Sequence, residues 1–508
     1  MKFYLPVSTA LGLATIAPFL HAQAMTSQRP NIIFLLSDDQ AAGTLGCYGN
    51  REIQTPNLDN LACRGIRFTN HYNTTSISMA SRCCVMTGLY EYRHGCNFSH
   101  GDLERNFIEK SYPVLLRQAG YFTGFAGKIG FVLEEEKFEA FESLFDYWAG
   151  GTGQTVYETK GNKGISKYAD KYPHCSRAYG AWGMDFLKAA KKSGKPFCMS
   201  ISFKAPHMPL SPDPIDMKLY EKNTFNRPAN YGVENGRHLS KQVHTSRAAT
   251  NYREWITAFD SVTAKYYALI TGMDYAVGMI LDYLENEGLA DNTIIIFTSD
   301  NGYNRGSHGF GDKVIPYEEG SKSPLIIYDP RLSKKYSGKV CNAITANVDV
   351  AATILALSDV PAPDDIDGKN LIPLLTNPKG KVRDYLPLFN FWGIESAQSM
   401  AIVTVRWKYI YWYYGGKGMK PTEELFNLTS DPIEMHQLAG DTKQASRLKA
   451  MRKFYDIGLD LIVKHVFQDH GYQKYPVIFN RMIPWEQKFQ LLEPADQIKK
   501  PKSNGMEN

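Results

Sequence analysis

Ser78 and Arg82, which lie four residues apart within the stretch Thr75–Gly88, are the first candidates for chemistry in this sequence. A helix would bring both side chains onto one face. An anion or a modified side chain at Ser78 would then lie beside a fixed guanidinium and near a helix N-terminus, where backbone N–H groups favour negative charge. The start of a surface helix would have the same pattern, so the stretch alone does not separate the two interpretations.

Two uninterrupted apolar runs, Asn31–Ser37 and Thr293–Ser299, are each followed at once by oxygen-bearing side chains. Such runs are typical of buried central strands in a parallel sheet, and α/β folds bind ligands at the carboxyl ends of these strands. Adjacent carboxylates repel each other unless a cation holds them, so both clusters predict a site for a hard metal ion. A helix N-cap pair would also explain the first cluster. The predicted ligands are Asp38, Asp39, Asp300 and Asn301.

Four further side chains lie in positions suited to chemistry. Lys128 follows the predicted short strand Tyr121–Ala126. His207 lies between two prolines, which would hold it rigidly in a binding site or in a structural turn. His308 and Lys313 follow the second acidic cluster.

The motifs around these residues, and their order along the chain, resemble those of the type I, formylglycine-dependent sulfatases of the alkaline-phosphatase-like superfamily. The family signature is Cys or Ser, any residue, Pro or Ala, any residue, Arg, four more residues and Thr-Gly. The residues that fill it here are Ser78, Ala80, Arg82, Thr87 and Gly88. The family's Asp-Asp, Gly-Lys, Pro-His-x-Pro, Asp-Asn-Gly and Tyr-Glu-x-Gly motifs also match, and the resemblance covers essentially the whole mature chain.

The resemblance implies a modified residue and a metal ion. Ser78 would be oxidised to Cα-formylglycine, whose hydrate is the nucleophile in the family. Serine at this position is typical of the serine-type minority, which a radical-SAM sulfatase-maturating enzyme modifies before export. The cation, usually Ca²⁺ in the family with Mg²⁺ as the alternative, would be held by the four oxygen ligands together with residue 78. An all-oxygen ligand set fits these ions better than Zn²⁺.

The other matched side chains have roles in the chemistry of the family. Arg82 and Lys128 would polarise and hold the hydrated aldehyde. His207 and Lys313 would bind the sulfate, and one of them would protonate the leaving oxygen.

At one position the chain departs from the family. The family has a catalytic His two residues after the matched Lys128, where this chain has Gly130. We expect His308 to be the leading replacement for the missing base, because it lies between two matched motifs.

Composition limits the classes of function. The chain has 508 residues, of which 43% are hydrophobic and 21% charged, as is ordinary for a folded protein. A net charge of +5 is too small for this length to indicate nucleic-acid binding. The eight cysteines show no metal-ligand spacing, and their pairing cannot be read from the sequence.

The N-terminus predicts export. Lys2 is followed by the mostly apolar run Leu5–Leu20 and by the cleavage pattern Ala22–Ala24. This arrangement is typical of a signal peptide, which we assign to residues 1–24. No later run is long enough for a membrane span. The mature protein should therefore be periplasmic or secreted.

The predicted fold class is α/β, with a large, mostly parallel central sheet flanked by helices in residues 25–384. Residues 385–494 predict a smaller C-terminal domain of antiparallel strands plus a helix, and residues 495–508 a flexible tail. Gly150–Gln154 and Arg227–Asn251 are predicted to be loops, the second of them on the surface.

The function predicted from these features is hydrolysis of sulfate monoesters, most plausibly O-sulfate on a glycan, by an exported enzyme. A phosphomonoester, phosphodiester or phosphonate hydrolase of the same superfamily is an alternative enzyme. A non-catalytic protein that binds sulfated glycans is an alternative of another class, favoured by the glycine at position 130. The sequence does not specify the sugar, the sulfated position, or exo versus endo action.

Overall fold

The strand at the middle of the fold is the apolar run Asn31–Ser37, with the bounds that the sequence predicts. A computed structural model describes residue 1 and residues 29–134, 139–151 and 153–492. Apart from residue 1, the predicted signal peptide and the predicted C-terminal tail lie outside these residues.

Twelve strands form two sheets in the described part of the chain. The strands of the large sheet are β1 (Asn31–Ser37), β2 (Ile66–Tyr72), β3 (Phe122–Lys128), β4 (Tyr147–Gly151), β5 (Phe197–Ser202), β6 (Thr293–Ser299), β7 (Leu325–Tyr328) and β8 (Lys339–Ala346). Their order is β4-β3-β5-β1-β6-β7-β2-β8. Only β7 runs antiparallel to its neighbours, so the sheet is mostly parallel, as predicted.

The α-helices of the described residues vary from single turns to a helix of 28 residues. They are α1 (Pro56–Arg64), α2 (Ser78–Thr87), α3 (Glu91–His94), α4 (Arg105–Glu109), α5 (Tyr112–Gln118), α6 (Glu139–Glu142), α7 (Cys175–Ser193), α8 (Pro214–Met217), α9 (Arg247–Thr250), α10 (Glu254–Thr257), α11 (Phe259–Asn286), α12 (Glu318–Ser321), α13 (Asp349–Leu357), α14 (Ile372–Thr376), α15 (Ala445–His465), α16 (Tyr475–Ile478) and α17 (Trp485–Phe489).

Helices cover both faces of the large sheet, and this explains why its central strands are mostly apolar. Ile33 and Leu35 of β1 belong to a core cluster that includes residues of α1, α7 and α11. Ile32 and Phe34, which alternate with them, belong to a second cluster with residues of α2, α5 and α13. Because successive side chains of a strand point to opposite faces, a strand buried on both sides is apolar at most positions, with a few small polar residues such as Ser200 and Thr298.

A second, antiparallel sheet lies in the C-terminal part of the chain, as predicted. Its strands, in the sheet order β12-β11-β10-β9, are β12 (Thr422–Asn427), β11 (Trp407–Trp412), β10 (Ser399–Val403) and β9 (Leu386–Asn390). Apolar residues of α15 share a core cluster with these strands. The N–H of Phe389 in β9 donates a hydrogen bond to the carbonyl of Thr74, 2.7 Å away. The small sheet therefore lies beside the segment that leads into α2.

Two segments differ from their predicted structure. Tyr147–Gly151, part of which was predicted as a loop, forms the edge strand β4, where Trp148 stacks on Phe125 at 5.4 Å. The segment 227–251 is irregular, as predicted, apart from the single-turn helix α9 and two short 3-10 helices, but its apolar residues Leu239 and Val243 are buried in the core of the small sheet. The prediction that this segment lies on the surface was therefore wrong. Its glycines and polar residues indicate exposure, but tertiary packing overrides such local signals.

None of the helices in the described residues is both long and apolar enough to cross a membrane.

Candidate active site

The register between β1 and β6 brings the two acidic clusters together. Ser37 pairs with Ser299, so the residues that follow each strand leave the sheet at the same level. The N–H of Asp39 donates to Oδ1 of Asp300 at 3.1 Å. Two oxygen-rich segments that are far apart in sequence thus form one cluster at the carboxyl edge of the sheet, where α/β folds bind ligands.

Ser78 is the first residue of α2, and its hydroxyl is the point where the clusters meet. Ser78 Oγ lies 3.2 Å from Oδ1 of Asp38, 3.5 Å from Oδ1 of Asn301 and 2.9 Å from Nζ of Lys313. The residue is 1% exposed. A buried hydroxyl at a helix N-terminus, between carboxylates and an ammonium group, is suited to a nucleophile that acts on an anion.

Arg82 lies one turn further along α2 and fixes the acidic cluster from behind. Its Nε donates to Oδ2 of Asp300 at 2.8 Å, and its Nη1 donates to the carbonyl of Lys128 at 2.8 Å and to Oγ of Ser202. Burial opposes the charge, but Asp300 and Asp38 raise the pKa of Arg82. The guanidinium therefore keeps its charge and joins α2, β3, β5 and β6 at their ends.

Lys128 comes to the same place at the end of β3. Its Nζ lies 2.7 Å from Oδ2 of Asp38 and 2.7 Å from Oε1 of Gln154. Burial lowers the pKa of Lys128 to about 8. Sequence reasoning missed Gln154, whose only local signal was its place at the end of a glycine-rich stretch. It also missed Lys204, whose buried Nζ contacts the carbonyl of Gln154 at 3.2 Å.

Asp39 is contacted by both predicted sulfate-binding side chains. Nζ of Lys313 donates to its Oδ1, and Nε2 of His207 lies 3.6 Å from its Oδ2. Burial lowers the pKa of His207 to about 4, so the imidazole is neutral at pH 7. Tyr157, another residue that the sequence did not single out, donates to the carbonyl of His207 at 2.7 Å.

The donor set of this cluster fits a hard divalent cation. Asp38, Asp39 and Asp300 are nearly inaccessible to solvent, and an amide oxygen and a hydroxyl lie beside them. Burial and then the charge of Asp38 raise the pKa of Asp300 to about 6, as expected where carboxylates crowd together in a buried site. Three carboxylates, an amide and a hydroxyl are the oxygen ligands that Ca²⁺ and Mg²⁺ prefer. Asp38, Asp39, Asn301, Asp300 and residue 78 could therefore hold such an ion.

His308 is the one predicted site residue that the structure does not bring to Ser78. Its Nε2 lies 3.0 Å from Nδ2 of Asn230, and its Nδ1 lies 2.9 Å from the carbonyl of Asn235. An isolated antiparallel β-bridge joins Ser307, the residue before His308, to Tyr231. The loop that carries His308 therefore lies against segment 227–251. The expectation that His308 replaces the missing base is therefore corrected, because both ring nitrogens are engaged away from the cluster.

The structure also gives a reason for Gly130. A Cβ atom at this position would lie 2.4 Å from Cδ of Arg82, which is closer than real Cβ contacts come. The backbone φ of +84° is, in addition, a conformation that favours glycine. A histidine at residue 130 would require Arg82 to move.

Comparisons with known proteins agree with this geometry. A model of the sulfatase family matches residues 30–360, and a model of the N-sulphoglucosamine sulphohydrolase C-terminal region matches residues 306–456. The chain is 29% identical to an N-acetylglucosamine-6-O-sulfatase of Bacteroides thetaiotaomicron, with 88% of each chain covered.

Two solved structures are also similar to this chain. One is a complex with its substrate D-glucosamine-2-N,6-O-disulfate, with 27% identity, a TM-score of 0.71, and 87% of this chain and 99% of that chain covered. The other is a phosphonate monoester hydrolase of Agrobacterium radiobacter, which shares the fold at 21% identity and a TM-score of 0.68, with 87% and 97% covered. Because the sulfatase family model spans well over half of the sequence, the chain belongs to the type I sulfatases of the alkaline-phosphatase-like superfamily and is a sulfuric ester hydrolase.

Proposed function

We propose that this protein removes O-sulfate groups from glycans, with a nucleophile made by oxidation of Ser78 to Cα-formylglycine and with one bound Ca²⁺ or Mg²⁺ ion. The observation that carries the proposal is the convergence of Asp38, Asn301 and Lys313 on the buried hydroxyl of Ser78. A glycan substrate is supported by the names of the similar proteins, an N-acetylglucosamine-6-O-sulfatase and a complex with a disulfated glucosamine.

The protein's own side chains meet the needs of sulfate ester cleavage. Lys313 and His207, which both contact Asp39, would bind the sulfate, and one of them would protonate the leaving oxygen. Lys128 and Arg82 would hold the group at residue 78 in position. When bound, the cation would polarise a sulfate oxygen and offset the charge of the carboxylates. The hydrated aldehyde would supply the attacking oxygen.

We also propose that the protein is matured by a radical-SAM sulfatase-maturating enzyme and then exported to the periplasm or beyond. The support is the serine at position 78 and the N-terminal pattern of residues 1–24. The proposed division of the mature chain is a catalytic α/β domain over residues 25–384 and a smaller domain over residues 385–494.

The test combines mass spectrometry with turnover. The protein should be made in an anaerobic host together with a maturating enzyme, and the peptide that contains residue 78 should lose two hydrogens. The matured protein should release sulfate from at least one member of a panel of sulfated mono- and disaccharides. Ser76→Ala is a matched control, since Ser76 is also buried but is not among the residues that contact the Ser78 hydroxyl. Full activity with an unmodified Ser78 would contradict the formylglycine proposal.

The similarity of fold to a phosphonate monoester hydrolase means that hydrolysis of phosphate or phosphonate esters is the alternative activity to test. Turnover of an aryl sulfate, an aryl phosphate and an aryl phosphonate by the same preparation separates the two classes. We expect the sulfate to be cleaved with the highest kcat/KM. Tight binding of sulfated sugars without any turnover would instead favour the glycan-binding alternative.

A further inference from the structure

A row of half-buried side chains lies at the rim of the candidate active site. Rings of Phe98 and Trp392 meet edge to face at 6.5 Å, and the guanidinium carbon of Arg247 lies 5.4 Å from the Trp392 ring and 5.7 Å from the Tyr252 ring. We call Phe98, Trp392, Arg247 and Tyr252 the aromatic strip. Its members come from three separate segments of the chain, around residues 98, 247–252 and 392, which meet only in the folded protein.

The aromatic strip packs beside residues that adjoin Ser78 and Lys313 in the chain. Two of its rings pack against a small apolar cluster. That cluster consists of Ile77, Ala80 and Val314. The first of these residues immediately precedes Ser78 in the chain, and the last immediately follows Lys313. A sulfate held at Ser78 and Lys313 would therefore carry its leaving group past this strip.

The carboxylate of Asp312 balances the charge of Arg247, and this limits the kind of ligand that Arg247 can bind. Its Nε donates to Oδ2 of Asp312 at 2.5 Å, and its Nη2 donates to the hydroxyl of Tyr252 at 3.1 Å. Nη1 has no hydrogen-bond partner within the described part of the chain, and the Arg247 side chain is 40% exposed. An ion pair with free donors suits neutral hydroxyl groups better than a second anion.

The strip is held in place before any ligand binds. The N–H of Gly311 donates to the carbonyl of Ala248 at 2.9 Å, which joins the Arg247 helix to the loop that carries Asp312. The hydroxyls of Thr245 and Ser396 lie 2.7 Å apart, which joins the same segment to the loop after Trp392. A ligand that binds here would therefore lose little affinity to ordering of the protein.

We propose that the aromatic strip is the subsite for the pyranose ring that carries the scissile sulfate. The ring's C–H face would stack on Trp392, and the Arg247–Asp312 pair would hydrogen-bond to its neutral hydroxyls. The proposal rests on the proposed sulfatase function and adds a substrate class to it. At this position the sugar carries hydroxyl groups, not a second sulfate or a carboxylate.

The experiment compares two substrates of the matured protein, its best sulfated monosaccharide and 4-nitrophenyl sulfate. Arg247→Ala should lower kcat/KM for the sugar by about 10- to 100-fold, because a charged hydrogen bond is lost. The loss on nitrophenyl sulfate should be at least about 10-fold smaller, since that ring has no hydroxyl to bind. Trp392→Ala should lower kcat/KM for both substrates, and Trp392→Phe should restore most of it. Arg247→Gln, which keeps part of the aliphatic stem but removes the guanidinium charge, tests the same hydrogen bonds if the alanine variant melts early.

The chain offers a matched control. Arg447 lies 5.1 Å from the ring of Trp407, in a similar pair on the small sheet. Trp407→Ala and Arg447→Ala should leave both specificity constants within about twofold. Equal losses on both substrates in Arg247→Ala, or no loss in Trp392→Ala, would overturn the subsite while the sulfatase function stands. Failure of the unaltered protein to cleave either ester would overturn the function itself, and the subsite with it.

Discussion

Within the residues that the structure describes, lysine–carboxylate pairs are buried at two places. In the active-site cluster, Nζ of Lys128 lies 2.7 Å from Asp38, and Nζ of Lys313 contacts Asp39. In a second group, which we call the inter-sheet cluster, Nζ of Lys408 lies 2.8 Å from Glu318 and 2.9 Å from Glu434. Lys408 belongs to β11 of the small sheet, whereas Glu318 begins α12 beside the large sheet. All these side chains are nearly inaccessible to solvent.

The two clusters differ in where their charges point. In the inter-sheet cluster, burial opposes ionisation of Glu318, but Lys322 and Lys408 lower its pKa to about 2. Its oxygens also accept from the hydroxyl of Tyr72, and the N–H of Glu318 donates to Glu434. Burial raises the pKa of Glu434 to about 8, so one lysine ammonium lies between a carboxylate and a carboxyl group that holds its proton more strongly, and the cluster joins the two sheets. In the active-site cluster the charges converge on one reactive hydroxyl, so convergence, not burial of charge, identifies the site.

Removal of the Ser78 hydroxyl tests the difference between the two clusters with the largest expected effect. Ser78→Ala should lower kcat for sulfate esters by at least about 10³-fold, because the nucleophile can no longer form. The melting temperature should change by only a few degrees, since the hydroxyl is small. Both are measured on the matured protein. Substantial turnover by the variant would show that the cluster does not act through residue 78.

A second test removes a ligand from the same cluster. Asp300→Ala should abolish tight binding of the cation and lower kcat by about 10²–10³-fold, because too few oxygens remain and Arg82 loses its partner. Elemental analysis and steady-state kinetics measure the two effects. Asp384→Ala, which breaks an exposed ion pair with Lys381, is the control and should change neither. Retention of the metal in Asp300→Ala would contradict the predicted ligand set.

The inter-sheet cluster should respond in the opposite way. Lys408→Met should lower the free energy of unfolding by about 3–5 kcal/mol, because the buried Glu434 loses its cation and Glu318 keeps only Lys322. The kcat of the folded fraction should stay unchanged, since Lys408 makes no contact with the active-site cluster. Urea unfolding and kinetics at low temperature separate the two quantities. A loss of kcat without a loss of stability would mean that the two clusters are coupled.

Glu91 is a third kind of buried carboxyl group, because, unlike the carboxyl groups of the two clusters, it has no cationic partner in the described part of the chain. Among the described residues it accepts hydrogen bonds from Thr75, Asn97 and Tyr472, and no side-chain nitrogen of Lys, Arg or His lies within 4 Å of its carboxyl oxygens. Burial raises the pKa of Glu91 from 4.5 to about 7, although those hydrogen bonds oppose the shift.

The folded state therefore holds a proton on Glu91 at pH values where the unfolded chain has lost it. This contribution to stability is complete below about pH 4.5 and is lost as the pH rises to about 7, a change of roughly 3 kcal/mol. Glu91→Gln should remove this part of the pH dependence, as followed by urea unfolding between pH 4.5 and 8. An equally steep loss of stability in the variant would assign the effect to another group.

The sequence by itself determined the central elements of the fold. The runs Asn31–Ser37 and Thr293–Ser299 form strands with the predicted bounds, because a strand buried on both faces is apolar at most residues. Edge elements were less predictable. Tyr147–Gly151 has two glycines, and only its pairing with β3 makes it a strand. The burial of segment 227–251 likewise depends on partners that the local pattern does not contain.

The sequence also determined that Ser78 and Arg82 lie one turn apart on one helix, since their spacing is a local property. Tertiary structure alone decided how the distant parts meet. The register of Ser37 with Ser299 joins the acidic clusters, and the side chain of Arg82 fills the space beside Gly130. His308, close to Lys313 in sequence, is turned away by a bridge to another segment. The physical reason is that periodicity and spacing encode burial and local geometry, whereas contacts between distant segments depend on long-range packing.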